Sequence, residues 1–232
     1  MKNWDWRRGL LMGAEPVRAV SELASSALLA PLLAVQPRGD GHCVLVIPGW
    51  LAGDRSTLPL RRYLTALGYD VHGWGQGVNR GRAAINVDGL QRRLAELART
   101  SAGPVSVIGW SLGGYYAVAL ARRCPTHVRQ VITLGSPTTL RRTVTNTGRP
   151  KAGPLQVPVT AVHSRSDPIV AWRPSLVRTA PSRQDIRVHG SHLGLGHNPA
   201  VLYVIADRLA TPPERWEPFR PAPFLKPCFP TP

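Results

Sequence analysis

Short, unbroken apolar runs alternate along this chain with longer segments in which apolar residues recur every three or four positions. The first run is Cys43-Val44-Leu45-Val46-Ile47, stopped by Pro48-Gly49. A strand covered on both faces has this pattern, and Pro-Gly ends it. From Ser56 to Leu67, the residues Leu58, Leu60, Tyr63, Leu64 and Leu67 share one helical face, with Ser56 to cap it and Gly68 to end it. Tyr69 to Trp74 predicts a strand, and Asn86 to Arg99 a helix with Leu90, Leu94 and Leu97 on its apolar face. A strand at Val105 to Ile108, a small-residue helix at Leu112 to Arg123 and a strand at Val128 to Leu134 follow. Two more strands are expected at Val157 to His163 and at Asp185 to His189. The last helix starts at Asn198-Pro199 and runs to about Leu209, with Asn as cap and Pro suited to the first turn. Strands alternating with helices imply an α/β fold built on a doubly wound, mostly parallel sheet. There is no internal repeat.

The 232 residues suit one such domain, placed at residues 41–210. Residues 1–40 read as an N-terminal helical segment packed on that domain. Its apolar stretch, Leu23 to Val35, is too short for a membrane span and contains Pro31. Arg7 and Arg8 precede it as in a secretory signal, but Glu15 and Glu22 interrupt the approach and no clean cleavage site precedes Gln36. Residues 138–156 are polar and without periodicity, in the place of a small cap. The Pro-rich tail, residues 211–232, is expected to lie extended on the surface.

Charge narrows the partners. The chain has 29 Lys plus Arg against 13 Asp plus Glu, for a formal charge of +16. These charges are scattered, with no long basic run and no aromatic-basic signature, so nucleic acid is not expected. A coding bias toward Arg is the plain reading of such scatter, and weak association with an anionic membrane surface is the alternative. Three cysteines, Cys43, Cys124 and Cys228, give neither a disulfide framework nor a metal knuckle. A reducing, cytoplasmic compartment fits.

The chemistry concentrates in Gly109-Trp110-Ser111-Leu112-Gly113-Gly114, between a predicted strand and a predicted helix. A free hydroxyl is a poor nucleophile. It needs exposure, an adjacent base and donors for a developing oxyanion. A sharp strand-to-helix turn supplies these, with glycines on either side making room for the backbone. Ser111 is therefore the candidate nucleophile and the Leu112 N–H the first oxyanion donor. A second donor should come from the loop after an earlier strand, and Trp50 N–H fits, with Gly49 letting the backbone approach. An ordinary strand-to-helix loop is the alternative there.

In such an arrangement an acid and then a histidine follow the serine in sequence. Asp167 lies just past a strand, where active-site loops gather. Asp185 begins a strand, Asp207 sits within the last helix, and Glu214 and Glu217 lie in the tail. Elimination leaves Asp167, with a turn-capping role as the alternative. Among His189, His192 and His197, His192 occupies the loop Gly190-Ser191-His192-Leu193-Gly194 after its strand and is the expected base. Zinc is not expected from the three histidines, since no further ligand has suitable spacing. The pattern Gly73-Trp74-Gly75-Gln76-Gly77 lacks the helix that a nucleotide fingerprint needs, so no cofactor is expected. Gly49, Leu51, Trp74 and Trp110, with Trp50, are candidates for an apolar acyl pocket; plain core packing is the alternative for the tryptophans.

These residues resemble the α/β-hydrolase superfamily, notably small bacterial triacylglycerol-lipase-like and esterase-like members. The resemblance rests on Ile47-Pro48-Gly49-Trp50, residues 109–114, Ser164 to Asp167, and Gly190 to Leu195, and spans roughly residues 42–210. Pro48 stands where such lipases often have His or Gly. The resemblance implies an acyl-ester hydrolase whose triad maps to Ser111, Asp167 and His192. An acyltransferase or thioesterase would use the same three groups, and a non-catalytic binding protein on this fold is the reading from another class. A polar cap leads us to expect soluble short-chain esters as substrates, without interfacial activation. Nothing in the pattern specifies an oligomer.

Overall fold

A computed structural model describes residues 6–81, 87–138, 155–177 and 180–231. Six strands form one sheet: β1 Cys43–Ile47, β2 Asp70–Gly73, β3 Val105–Trp110, β4 Val128–Leu134, β5 Val159–His163 and β6 Arg183–Arg187. Their spatial order is β2-β1-β3-β4-β5-β6, and every neighbouring pair is parallel. The helices are α1 Trp6–Leu28, α2 Ala30–Ala34, α3 Leu58–Ala66, α4 Val87–Thr100, α5 Leu112–Arg123, α6 Trp172–Ser175 and α7 Pro199–Ala210. This is the doubly wound parallel sheet that the alternation predicts.

Side chains on a strand point alternately to opposite faces, and β1 shows how two cores follow from one run. Val44 and Val46 pack with Leu60 and Leu64 of α3 and with Val201 and Ile205 of α7. Leu45 and Ile47 pack on the other face with Leu90 and Leu94 of α4 and Ala117 and Ala121 of α5. All five residues of β1 are buried, so the run has no polar alternation to show.

The chain moves from β1 outward to β2, then returns to place β3 on the far side of β1. In open α/β sheets the crevice beyond the carboxyl ends of two such strands is the usual ligand site. Residues 48–50, after β1, and Ser111, after β3, both stand there.

Two expectations need adjustment. The last strand spans Arg183–Arg187 rather than 185–189, because its pairing with β5 begins where Val159 meets Arg183. As an edge strand it is only half-covered, so its apolar content does not mark its start. The tail does not simply lie extended on the surface. Phe219 is buried against α7, its backbone N–H and carbonyl both bond the Gln184 side chain, and its ring meets those of Tyr203 and Phe229. Residues 139–154 of the expected cap lie outside the described residues. Among the described residues, no helix is long and apolar enough to cross a membrane.

Candidate active site

Ser111 sits between β3 and α5 with φ 53° and ψ −122°, a sparsely populated backbone state for a residue with a side chain. Close packing maintains it. A Cβ at Gly109 would overlap the Gly114 backbone, and one at Gly113 would overlap the Ile47 carbonyl. The turn can form only where these positions are glycine. Ser111 N–H donates to Leu134 O at 2.8 Å, which fixes the turn to β4. The hydroxyl is half-buried, and it forms no hydrogen bond among the described residues.

Asp167 and His192 meet directly. His192 Nδ1 lies 2.6 Å from Asp167 Oδ2, and both side chains are buried. With Nδ1 donating to the carboxylate, Nε2 remains as the acceptor. The other carboxylate oxygen, Oδ1, accepts from the backbone N–H groups of Ile169 and Val170, each at 2.8 Å. Asp167 thus caps its own turn and holds the imidazole at once, so the two readings of this residue are not exclusive. The other histidines are engaged elsewhere. His197 Nε2 donates to Ala19 O, and His189 is exposed.

The two halves of the site approach through Trp110 and Gly135. Trp110, the neighbour of Ser111, donates from Nε1 to the His192 carbonyl at 3.1 Å. Gly135 follows Leu134, the acceptor for Ser111. Its φ is 52°, and a Cβ there would stand 3.1 Å from Asp167 Oδ2, 3.2 Å from His192 Nδ1 and 2.6 Å from Leu195. Gly135 was not foreseen, because one glycine after a strand looks like any turn.

The loop after β1 abuts the serine. A Cβ at Gly49 would meet Ser111 Cβ at 3.1 Å. Leu112 N–H is at the first position of α5, where a helix offers its amides no internal acceptor. Asn79 is buried and pins the loop: its Nδ2 donates to Pro48 O, its backbone carbonyl accepts from Leu51 N–H, and its N–H donates to Ala52 O. Asn79 too has no signal in the sequence beyond its place in a polar loop.

The least expected contribution comes from α1. Glu15 is buried, and its two carboxylate oxygens accept from the backbone N–H groups of His192, at 3.1 Å, and Leu193, at 2.9 Å. Glu22 accepts from Ser191 N–H at 2.6 Å and from Asn198 Nδ2 at 2.9 Å. The three successive amides of residues 191–193 therefore end on two carboxylates of one helix. Arg18, between them, pairs with Glu15 and donates to Ser166 O, Ser166 Oγ and Gly190 O, joining the loop that carries Asp167 to the loop that carries His192. Arg8 donates to Pro168 O, and Ser26 to His197 O. The available signal was Glu15 and Glu22, seven residues apart and so on one helical face, in an otherwise apolar segment.

The pocket candidates separate. Trp50 and Leu51 are each 62% exposed at the rim. Trp74 instead belongs to the core: 2% exposed, packed with Leu45 and Leu90, its Nε1 donating to Gly77 O. Trp110 is also buried, and it supports the base loop. Among the described residues, Cys43, Asp70 and His72 bring three possible metal-ligand atoms within 4.8 Å of one another. They lie at the amino ends of β1 and β2, away from Ser111. Burial, with the Asp70 charge adding to it, pushes the Cys43 thiol up to about 12, which opposes the thiolate a metal needs. His163, at the end of β5, is buried with neither ring nitrogen hydrogen-bonded among the described residues. Burial, with Arg165 and Arg187 adding to it, holds its imidazole down to about 4.

No family model matches the sequence, and neither does any curated protein. Solved structures do. A pyrethroid hydrolase aligns over 75% of this chain and 99% of its own, with TM-score 0.57 and 17% identity. The monoacylglycerol lipase of Paleococcus ferrophilus aligns over 75% and 96%, with TM-score 0.56 and 12% identity. Mouse alpha/beta hydrolase domain-containing protein 10 aligns over 75% and 90%, with TM-score 0.52 and 17% identity. At such identities the likeness establishes the fold, which is that of the α/β hydrolases.

Proposed function

We propose that this α/β-hydrolase-fold chain is a serine hydrolase of carboxylic esters, with Ser111 as nucleophile, His192 as base and Asp167 as the orienting acid. The observation that carries the reading is the buried 2.6 Å bond between His192 and Asp167, on the rim where the strained Ser111 turn ends β3. That bond selects the tautomer with Nε2 as acceptor, which is the state a base for a serine hydroxyl requires. Fold neighbours named as a pyrethroid hydrolase and a monoacylglycerol lipase are consistent with ester cleavage on this scaffold, although fold alone does not set the chemistry.

In this mechanism His192 Nε2 takes the Ser111 proton as Oγ attacks the ester carbonyl. The carbonyl π electrons move onto oxygen, and the Leu112 and Trp50 N–H groups receive that oxyanion. Collapse breaks the bond to the alkoxy group, which leaves with the proton from His192 and gives an acyl-Ser111 ester. Water, deprotonated by the same imidazole, repeats the sequence and frees the acid. Asp167 stabilises the imidazolium formed in each half. The missing Ser111–His192 hydrogen bond fits an unliganded site, where such contacts are often long and tighten on binding.

A fluorophosphonate probe tests the reading. Wild-type protein should label covalently and hydrolyse nitrophenyl esters, and Ser111→Ala should do neither. Folded wild type that neither labels nor turns over any ester of the series would overturn it.

A further inference from the structure

Helix α1 is amphipathic, but its polarity is turned inside out. Its polar face, carrying Glu15, Arg18, Glu22 and Ser26, is bonded to the acid and base loops. Positions 6, 10, 17, 20 and 28 lie on the opposite face by the helical period. Trp6, Leu10, Val17, Val20 and Leu28 are 61–81% exposed, and Val35 just beyond α2 continues the strip at 76%. A surface helix ordinarily does the reverse. Between residues 9 and 37 no charged side chain is exposed: Glu15 is buried, and Arg18 and Glu22 are half-buried and engaged inward. An apolar strip this long on a protein surface marks an interaction site.

Charge identifies the occupant. The strip is bounded by exposed Arg7 and Arg8 at its start and exposed Arg38 at its end. The whole chain carries +16. A second copy of this chain would bring like charges together over the same strip. An anionic bilayer offers both complements, an apolar interior for the strip and negative headgroups for its basic ends. The 23 residues of α1 make a rod roughly 35 Å long. Among the described residues no helix is suited to crossing, so this one would lie in the interfacial plane.

We propose that the outer face of α1 and α2 docks this protein on anionic lipid surfaces. Apolar side chains enter the headgroup boundary, and the flanking arginines reach the lipid phosphates along it. The proposal does not depend on the identity of the substrate or on catalysis.

Flotation of the full chain with vesicles tests it. The wild type should float with equal mixtures of phosphatidylglycerol and phosphatidylcholine. Binding should fall roughly tenfold or more with phosphatidylcholine alone or in high salt. The double variant Val17→Glu, Val20→Glu changes side chains that point away from the loops, so its far-UV spectrum and thermal unfolding should be those of wild type while binding falls by about tenfold or more. Replacing Arg7 and Arg8 by Gln should weaken binding by about fivefold for each charge. A second reading is independent of those variants: the emission difference between wild type and Trp6→Phe should move to shorter wavelength when mixed vesicles are added. Wild type that stays unbound, a folded Glu variant that binds as well as wild type, or Trp6 emission that does not shift would overturn the proposal. So would a wild-type dimer, lost in the Glu variant, in a protein that ignores lipid; that result would assign the strip to a second copy instead.

Discussion

Replacing Glu15 by alanine removes the carboxylate that receives the backbone amides of His192 and Leu193. Arg18 keeps three acceptors, Ser166 O, Ser166 Oγ and Gly190 O, so it does not become an unpaired buried charge. The main loss is two buried N–H groups left without an acceptor, each costing about 1–3 kcal/mol. Some relaxation is available, because Leu193 is an exposed loop residue. A total near 3 kcal/mol follows, or a fall in Tm of about 6–12 °C for a domain of this size. The kinetic effect has a different origin. His192 reaches its position through the backbone that Glu15 holds, and a displacement of about 1 Å at a reacting group costs on the order of 100-fold. Kinetics with a nitrophenyl ester, run well below both unfolding temperatures and normalised to probe-titrated sites, should therefore show kcat down by about 100-fold with KM within about twofold. Glu15→Gln keeps one acceptor oxygen and should fall between alanine and wild type. If Glu15→Ala lowers Tm as expected while kcat per active site stays within about twofold of wild type, the helix supports the fold only, and the positioning argument is wrong.

Asn79→Ala releases the Pro48 carbonyl and the loop that would carry the Trp50 donor; kcat on the same ester should fall by about tenfold or more with KM little changed, since the lost contact serves the transition state. Gly135→Ala places a methyl group against Asp167, His192 and Leu195 at a φ of 52°, and should cost about 1–3 kcal/mol in chemical denaturation together with most of the esterase activity. His163 is held down to about 4 in the folded protein against 6.5 for the free group, so the unfolded chain binds the extra proton first. Stability should be full above about pH 6.5 and decline as pH falls toward 4, by up to about 3 kcal/mol. Denaturation at several pH values should show His163→Phe losing most of that slope.

The sheet was legible because its strands say the same thing at every level. Continuous runs such as residues 43–47 cannot be half-exposed strands, and glycines at 109 and 113 flanking a serine have few other uses. The meeting of Asp167 with His192 was reachable by position, because loops at the carboxyl ends of parallel strands gather at one rim. What escaped were residues whose importance depends on distant partners. Gly135 counts only because Asp167 and His192 converge on it, and Asn79 only because residues 48–52 fold over it. Trp74 was misplaced for a related reason: a tryptophan at a strand end beside glycines suits a pocket wall as well as a core, and packing by α4 decides between them.

The N-terminal helix shows where the sequence pattern stops short. Residues 1–40 read as a helical segment packed on the domain, but the pattern alone does not say which face of it turns inward. The charged face turns inward because Gly190, Ser191, His192 and Leu193 present backbone groups that need partners. Each of those amides would cost about 1–3 kcal/mol if buried without an acceptor, and the carboxylates of Glu15 and Glu22 supply the acceptors. The helix thus satisfies the loops with its scarce charges and leaves its apolar majority outside. The same sequence feature therefore has two consequences: a His192 loop held by carboxylates from outside the sheet, and an apolar strip left on the surface.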